Sequence, residues 1–170
     1  DVPESLQATT TALRSAGYRI DGVPADEAAL VARLQRLLAP YYREVDLAAL
    51  VAAGDAATLP VAEYRRWYEQ LPDAVRAPIE ARWGEPEQSL LMLDREGEAG
   101  FVIPRAEFGA LVVLPQPPRG ERWEEAEKAL YHSTSAVPSH HYLATYLWLR
   151  QSHRSDALIQ RQAAKRGGDI

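Results

Sequence analysis

The sequence predicts an α/β fold: a mainly parallel sheet flanked by helices, with a β-hairpin and a helical N-terminal part. Three observations carry this expectation. Apolar residues recur at helical spacing through the first 84 residues. Two short apolar runs, at 89–93 and 101–103, bracket a polar stretch. Residues 108–114 form a near-continuous apolar run, as expected of a strand covered on both faces.

Leu6, Thr10, Leu13 and Ala16 share one helical face, and Gly17 stands where a residue tolerant of the left-handed conformation commonly stops a helix. Tyr18, Ile20 and Val23 give a short extended stretch ending at Pro24. Asp26 can then cap a helix carrying Leu30, Leu34, Leu37 and Leu38, which Pro40 ends. A shorter helix over 44–53 closes at Gly54, and residues 54–60 read as loop.

Tyr64, Trp67, Tyr68 and Leu71 fall at i, i+3, i+4 and i+7, an aromatic stripe that more commonly packs in a core than stacks on a ligand. Val75, Ile79 and Trp83 continue a helical face around Pro78, and Gly84 stops it. After the hairpin, residues 109–114 are expected to form the central strand. The run Pro115-Gln116-Pro117-Pro118-Arg119-Gly120 leaves the sheet as a shaped loop, because its prolines have no amide hydrogen to pair. Residues 123–130 read as a helical turn or two, and 131–141 as loop. Tyr142, Leu143, Tyr146, Leu147 and Leu149 mark the clearest helix, and residues 157–160 a last strand closing a right-handed parallel crossover. The chain thus divides into a mostly helical part, 1–84, an α/β part, 85–160, and a tail, 161–170.

Composition narrows the function classes. Of 170 residues, 19 are basic and 24 acidic, a formal net charge of -5, so there is no broad cationic surface for a nucleic-acid backbone. No run approaches the ~20 apolar residues of a bilayer span, so no membrane insertion is expected. The absence of cysteine removes thiolate chemistry and fits a reducing compartment, with cytoplasm the expected location. The chain begins without methionine, at a helix-start signal, so both ends are expected to be cuts in something longer. There is no phosphate loop, nucleophile elbow or dinucleotide fingerprint, which leaves nucleotide chemistry to a partner.

All four histidines fall between His132 and His153, three of them around the loop after the apolar strand. Ligands of open α/β sheets bind outside the carboxyl ends of the strands, where this loop and the proline-rich loop are both expected. A neutral imidazole accepts protons near neutral pH, which makes His132 and His140 candidate catalytic groups. Arg119 can grip a carboxylate in a bidentate pair, and Tyr131 and Tyr142 offer flat faces and hydroxyls; with His141 these are the candidate substrate contacts.

Other readings stand beside these. His140 and His141 precede a helix, where they can simply satisfy backbone groups. As adjacent residues they cannot point the same way, and no metal-ligand spacing is present, so no metal site is expected. Residues 115–119 also fit, weakly, a polyproline docking ligand.

The stretch Val112-Val113-Leu114-Pro115-Gln116-Pro117-Pro118-Arg119-Gly120, then Tyr131-His132, then Val137-Pro138-Ser139-His140-His141-Tyr142 through Arg150, resembles the large subunit of cobaltochelatase and, more distantly, the porphyrin-binding subunit of magnesium chelatase. The N-terminal helix leading to Ala16-Gly17-Tyr18, and the segment from Leu59-Pro60 to Trp83-Gly84, resemble that family as well. The resemblance implies a fragment of a tetrapyrrole-binding subunit of a metal chelatase. It further implies ATP-dependent insertion of cobalt into hydrogenobyrinate a,c-diamide in aerobic cobalamin synthesis, with AAA+ ATPase subunits as partners. ATP and magnesium would sit on those partners, cobalt would be a substrate, and this chain would hold no cofactor of its own. The sister reaction, magnesium into protoporphyrin, and a non-catalytic tetrapyrrole-binding or subunit-interaction module are the alternatives. Two departures stand out: Ser139 occupies a place where the family has proline, and residues 160–170 stand where the family continues into a histidine-glycine-rich segment.

Overall fold

The computed structural model describes residues 2–122 and 136–152. Helix α1 (Val2–Ser15) buries Leu6 and Thr10; the Thr10 hydroxyl tolerates burial because it donates to the Gln7 carbonyl at 2.9 Å. Helix α2 (Glu27–Leu38) starts at Asp26, whose carboxylate accepts from the Ala28 and Ala29 amides, and a 3-10 turn (Ala39–Tyr41) follows it. Helix α3 (Leu47–Ala52) is capped the same way by Asp46. Strand β1 (Ala56–Pro60) leads directly into α4 (Val61–Tyr68), and α5 (Asp73–Trp83) contains Pro78. Then come β2 (Met92–Arg95), β3 (Glu98–Pro104), β4 (Ala106–Phe108), β5 (Leu111–Val113) and, after the proline-rich loop, α6 (His140–Ser152).

The expected mixture of helix and sheet and the expected hairpin are both present, the hairpin as β2 and β3. The direction of pairing differs from the expectation. The main sheet has the order β1-β3-β2 and is antiparallel throughout, and β4 pairs with β5 in a separate antiparallel ribbon. The centre of the sheet is β3, where Phe101, Val102 and Ile103 are all fully buried. Phe101 and Ile103 pack with α4, α5 and α6, whereas Val102 faces Leu50 of α3. A continuous apolar run therefore reports that both faces are covered, and helices have done that here without parallel strands.

The run at 108–114, expected to be a central strand, is instead broken by a turn at Gly109 and Ala110, and β5 is only half-buried. Gly109 has a φ of 68°, and a Cβ on it would meet the Arg19 carbonyl oxygen at 2.3 Å. That close approach lets the extended stretch before α2 lie along the ribbon, with Asp21 N donating to Phe108 O and Ala110 N to Arg19 O. The expected loop at 54–60 is largely β1, paired with β3 from Ala56 opposite Pro104 to Pro60 opposite Gly100. The expected helical turns at 123–130 and the strand at 157–160 lie outside the described residues.

One core joins β1 and β3 to α4, α5 and α6 around Tyr64, Phe101 and Trp148; a second joins α1 and α2 to the β4–β5 ribbon around Leu30 and Phe108. Each fully buried large side chain contributes roughly 2 kcal/mol. Between the two lies Asp55, 1% exposed, whose carboxylate accepts from Arg33 Nε at 2.8 Å and Arg36 Nε at 2.9 Å, tying α2 to the start of β1.

Candidate functional site

The proline-rich loop and the start of α6 come together. Pro117, Pro118 and Gly120 are buried, Arg119 is half-buried, and Ser139 lies between that loop and the helix with no exposed surface. Ser139 N donates to the Arg119 carbonyl at 2.6 Å and Ser139 Oγ donates to the Gly120 carbonyl at 3.0 Å. The same Oγ accepts from Tyr142 N at 3.2 Å, which caps the first turn of α6. Arg119 Nη1 reaches the Ala136 carbonyl at 3.3 Å, and the Trp83 indole holds the Val137 carbonyl at 3.1 Å. Two loops expected to share one pocket are thus pinned to each other and to the end of α5.

Beyond them, a cavity of ≈ 190 Å³ is lined by Leu114, Pro115, Gln116, Pro117, Tyr146 and Leu149. Tyr142 and Tyr146, one helical turn apart on α6, set their rings 4.9 Å apart beside it. Tyr142 is half-buried and Tyr146 is 43% exposed. Flat apolar faces and a proline-walled groove suit a rigid, planar ligand. The sequence marks Tyr146 and Leu149 only as part of a helix face, and the i, i+4 spacing from Tyr142 is the signal for Tyr146.

The adjacent histidines point into the protein, in two directions. His140 is 1% exposed; its Nε2 donates to the Gly84 carbonyl at 3.0 Å, which leaves Nδ1 to accept from the Tyr64 hydroxyl at 2.8 Å. The rings of Tyr64 and Tyr68 pack edge-on against it. Burial pulls its pKa below the usual imidazole value. His141 is fully buried, donates from Nε2 to the Val102 carbonyl at 2.8 Å, and lies between Tyr41 and Phe101. Loss of solvent lowers its pKa to about 4. Both imidazoles are neutral anchors of α6, one to α4 and the end of α5, the other to the central strand.

The structure therefore puts Tyr142 beside the proline-walled groove and Arg119 in the loop pinned against the start of α6, with His140 and His141 turned into the protein, where neither ring reaches a ligand from solvent. Tyr131 and His132 lie outside the described residues. Among the described residues no group of three or more histidine or acidic side chains could hold a metal ion, and no helix is long and apolar enough to cross a membrane. A larger cavity, ≈ 580 Å³, opens between α2 and α3 over Ala32, Ala39, Ala49 and Ala53, with Arg36 and Arg43 among its polar lining.

The chain is similar throughout to known proteins. A family model described as CobN/Magnesium Chelatase matches residues 1–161. The aerobic cobaltochelatase subunit CobN of Pseudomonas aeruginosa is 34% identical over 159 residues, and that of a Sinorhizobium species 31% identical over 162. Each alignment covers 94% of this chain but only 12% of the relative, so the chain spans about an eighth of their length. Among solved structures, the catalytic subunit of cobaltochelatase from Mycobacterium tuberculosis superposes with a TM-score of 0.62 at 32% identity, covering 86% of this chain and 12% of that one.

Proposed function

The chain belongs to the CobN/magnesium chelatase family, and from that premise we propose that it supplies one wall of the tetrapyrrole site in the large subunit of a metal chelatase. The observation that supports the reading is the pinned pair of loops, which holds the backbone of Arg119 against the helix turn that carries Tyr142 and Tyr146. A cavity of ≈ 190 Å³ is small against the ~300–1,000 Å³ of sites that enclose a ligand, so this face takes an edge of the macrocycle and the rest of the subunit takes the remainder.

Arg119 holds a peripheral carboxylate, and Tyr142 and Tyr146 lie against the ring. Metal insertion displaces the proton held by the corrin's ring nitrogens, which a base must accept. His140 and His141 already commit their Nε2 protons to carbonyls and are shielded from solvent, so they hold the platform still rather than move protons. His132 is assigned the proton-accepting role and Tyr131 a contact to the substrate. The metal is a substrate, cobalt in our reading, and the macrocycle is hydrogenobyrinate a,c-diamide. ATP is hydrolysed on AAA+ partner subunits in the cytoplasm.

The internal placement of both described histidines also favours a second reading, in which this segment only binds the macrocycle and all chemistry lies elsewhere in the subunit. Reconstitution separates the two. The complete subunit, its ATPase partners, ATP, cobalt and hydrogenobyrinate a,c-diamide should give the metallated product, followed by its absorbance. His132→Ala should lower the turnover rate at least tenfold with tetrapyrrole affinity unchanged. Full turnover in that variant would leave the binding-only reading, and no tetrapyrrole uptake by the subunit would remove both.

A further inference from the structure

We infer that Ser139 is a positioning residue that sets Arg119 for carboxylate recognition, so that this face distinguishes a free carboxylate edge from an amidated one. The inference rests on the proposed reading of the face. Residues 115–120 carry three prolines, which have no amide hydrogen, so the loop has little means of fixing itself. Ser139 supplies what it lacks. With no exposed surface, it donates from its backbone to the Arg119 carbonyl and from Oγ to the next carbonyl, Gly120. Its Oγ also accepts from Tyr142 N, so one residue holds the arginine's backbone against the helix turn that carries the tyrosine pair. The Ala136 carbonyl engages one guanidinium nitrogen of Arg119, which limits the side chain's rotation, and among the described residues its other donors have no partner.

A guanidinium held in this way favours a carboxylate over an amide, because only the carboxylate accepts two charge-assisted hydrogen bonds. A freely rotating arginine must be ordered first, and part of the preference is lost in doing so. Ser139 has no path to the ligand, so its contribution is to selectivity through Arg119.

The test uses the full-length subunit and two probes, hydrogenobyrinate a,c-diamide and its fully amidated derivative, titrated by tryptophan quenching. Within each variant the ratio of the two affinities is read, so any partial loss of folded protein affects both probes and cancels. The wild type should prefer the carboxylate form about tenfold. Ser139→Ala should reduce that preference to about twofold with affinity for the amidated probe unchanged, Arg119→Ala should do the same, and the double variant should add nothing. Ser139→Thr, which keeps the hydroxyl, should retain most of the preference. Equal weakening of both probes in Ser139→Ala, or an intact preference there while Arg119→Ala abolishes it, would overturn the positioning role alone. A preference that survives Arg119→Ala would overturn the reading of the face, and the inference with it.

Discussion

His141 is the side chain whose protonation this fold most opposes. Its ordinary pKa is ~6.5 in an unfolded chain, and burial brings it to about 4 in the folded one. Between those values the unfolded state binds the extra proton, so His141's stabilisation is complete above about pH 6.5 and is lost as the pH falls towards 4. The full loss is about 3 kcal/mol, and His140, shifted the same way by burial, adds to it. Chemical denaturation of this chain across that range should show the decline. His141→Gln, which keeps a donor for Val102, should flatten it; an unchanged slope would mean that the ring is not held neutral. Gly84 is a second sensitive residue. Its φ of 70° with ψ of -142° suits glycine alone, and a Cβ there would press on the Gln88 side chain. Gly84→Ala should cost about 2 kcal/mol of unfolding free energy and disturb the carbonyl that receives His140. The histidine cluster was legible in the sequence, and so was the impossibility of a shared direction. Which way each ring faces was not, because that depends on Val102 and Gly84, 39 and 56 residues distant.

Among the elements, the periodic helices and the β2–β3 hairpin are legible in the sequence, whereas the apolar run at 108–114 marks burial and not a parallel strand. Asp26, Pro40, Gly54 and Gly84 punctuate the helices as local chemistry predicts. Strand β1 is Ala-Ala-Thr-Leu-Pro, with little intrinsic strand preference, and it exists because β3 offers it a ladder. Its link to α2 through Asp55 gives a direct test. Asp55→Asn leaves Arg33 and Arg36 without their charge partner and should lower stability by about 3 kcal/mol in denaturant unfolding. Arg36→Ala should cost less, about 1 kcal/mol, because that side chain is 55% exposed and solvent screens its pair. Equal losses would indicate that the cluster acts as one network.

Across the whole molecule, α6 joins the core around the central strand to the proline-walled groove. Most of that helix is covered: His140, His141, Ala144, Thr145 and Leu147 are turned inward, while Tyr142, Tyr146 and Leu149 remain partly open beside the proline-walled groove. In the proposed reading, the open side is where the macrocycle lies. The sequence announced this face through the proline-rich loop, Arg119 and Tyr142. It could not announce Ser139 as the fastener or Trp83 as the tether, since each acts across a gap in sequence on a backbone carbonyl. The most direct measurement is the affinity of the complete subunit for hydrogenobyrinate a,c-diamide in two single variants. The proposed site predicts that Arg119→Ala weakens binding about tenfold while Arg43→Ala, at the larger cavity between α2 and α3, leaves it unchanged. The reverse pattern would move the macrocycle to that cavity and contradict the assignment made here.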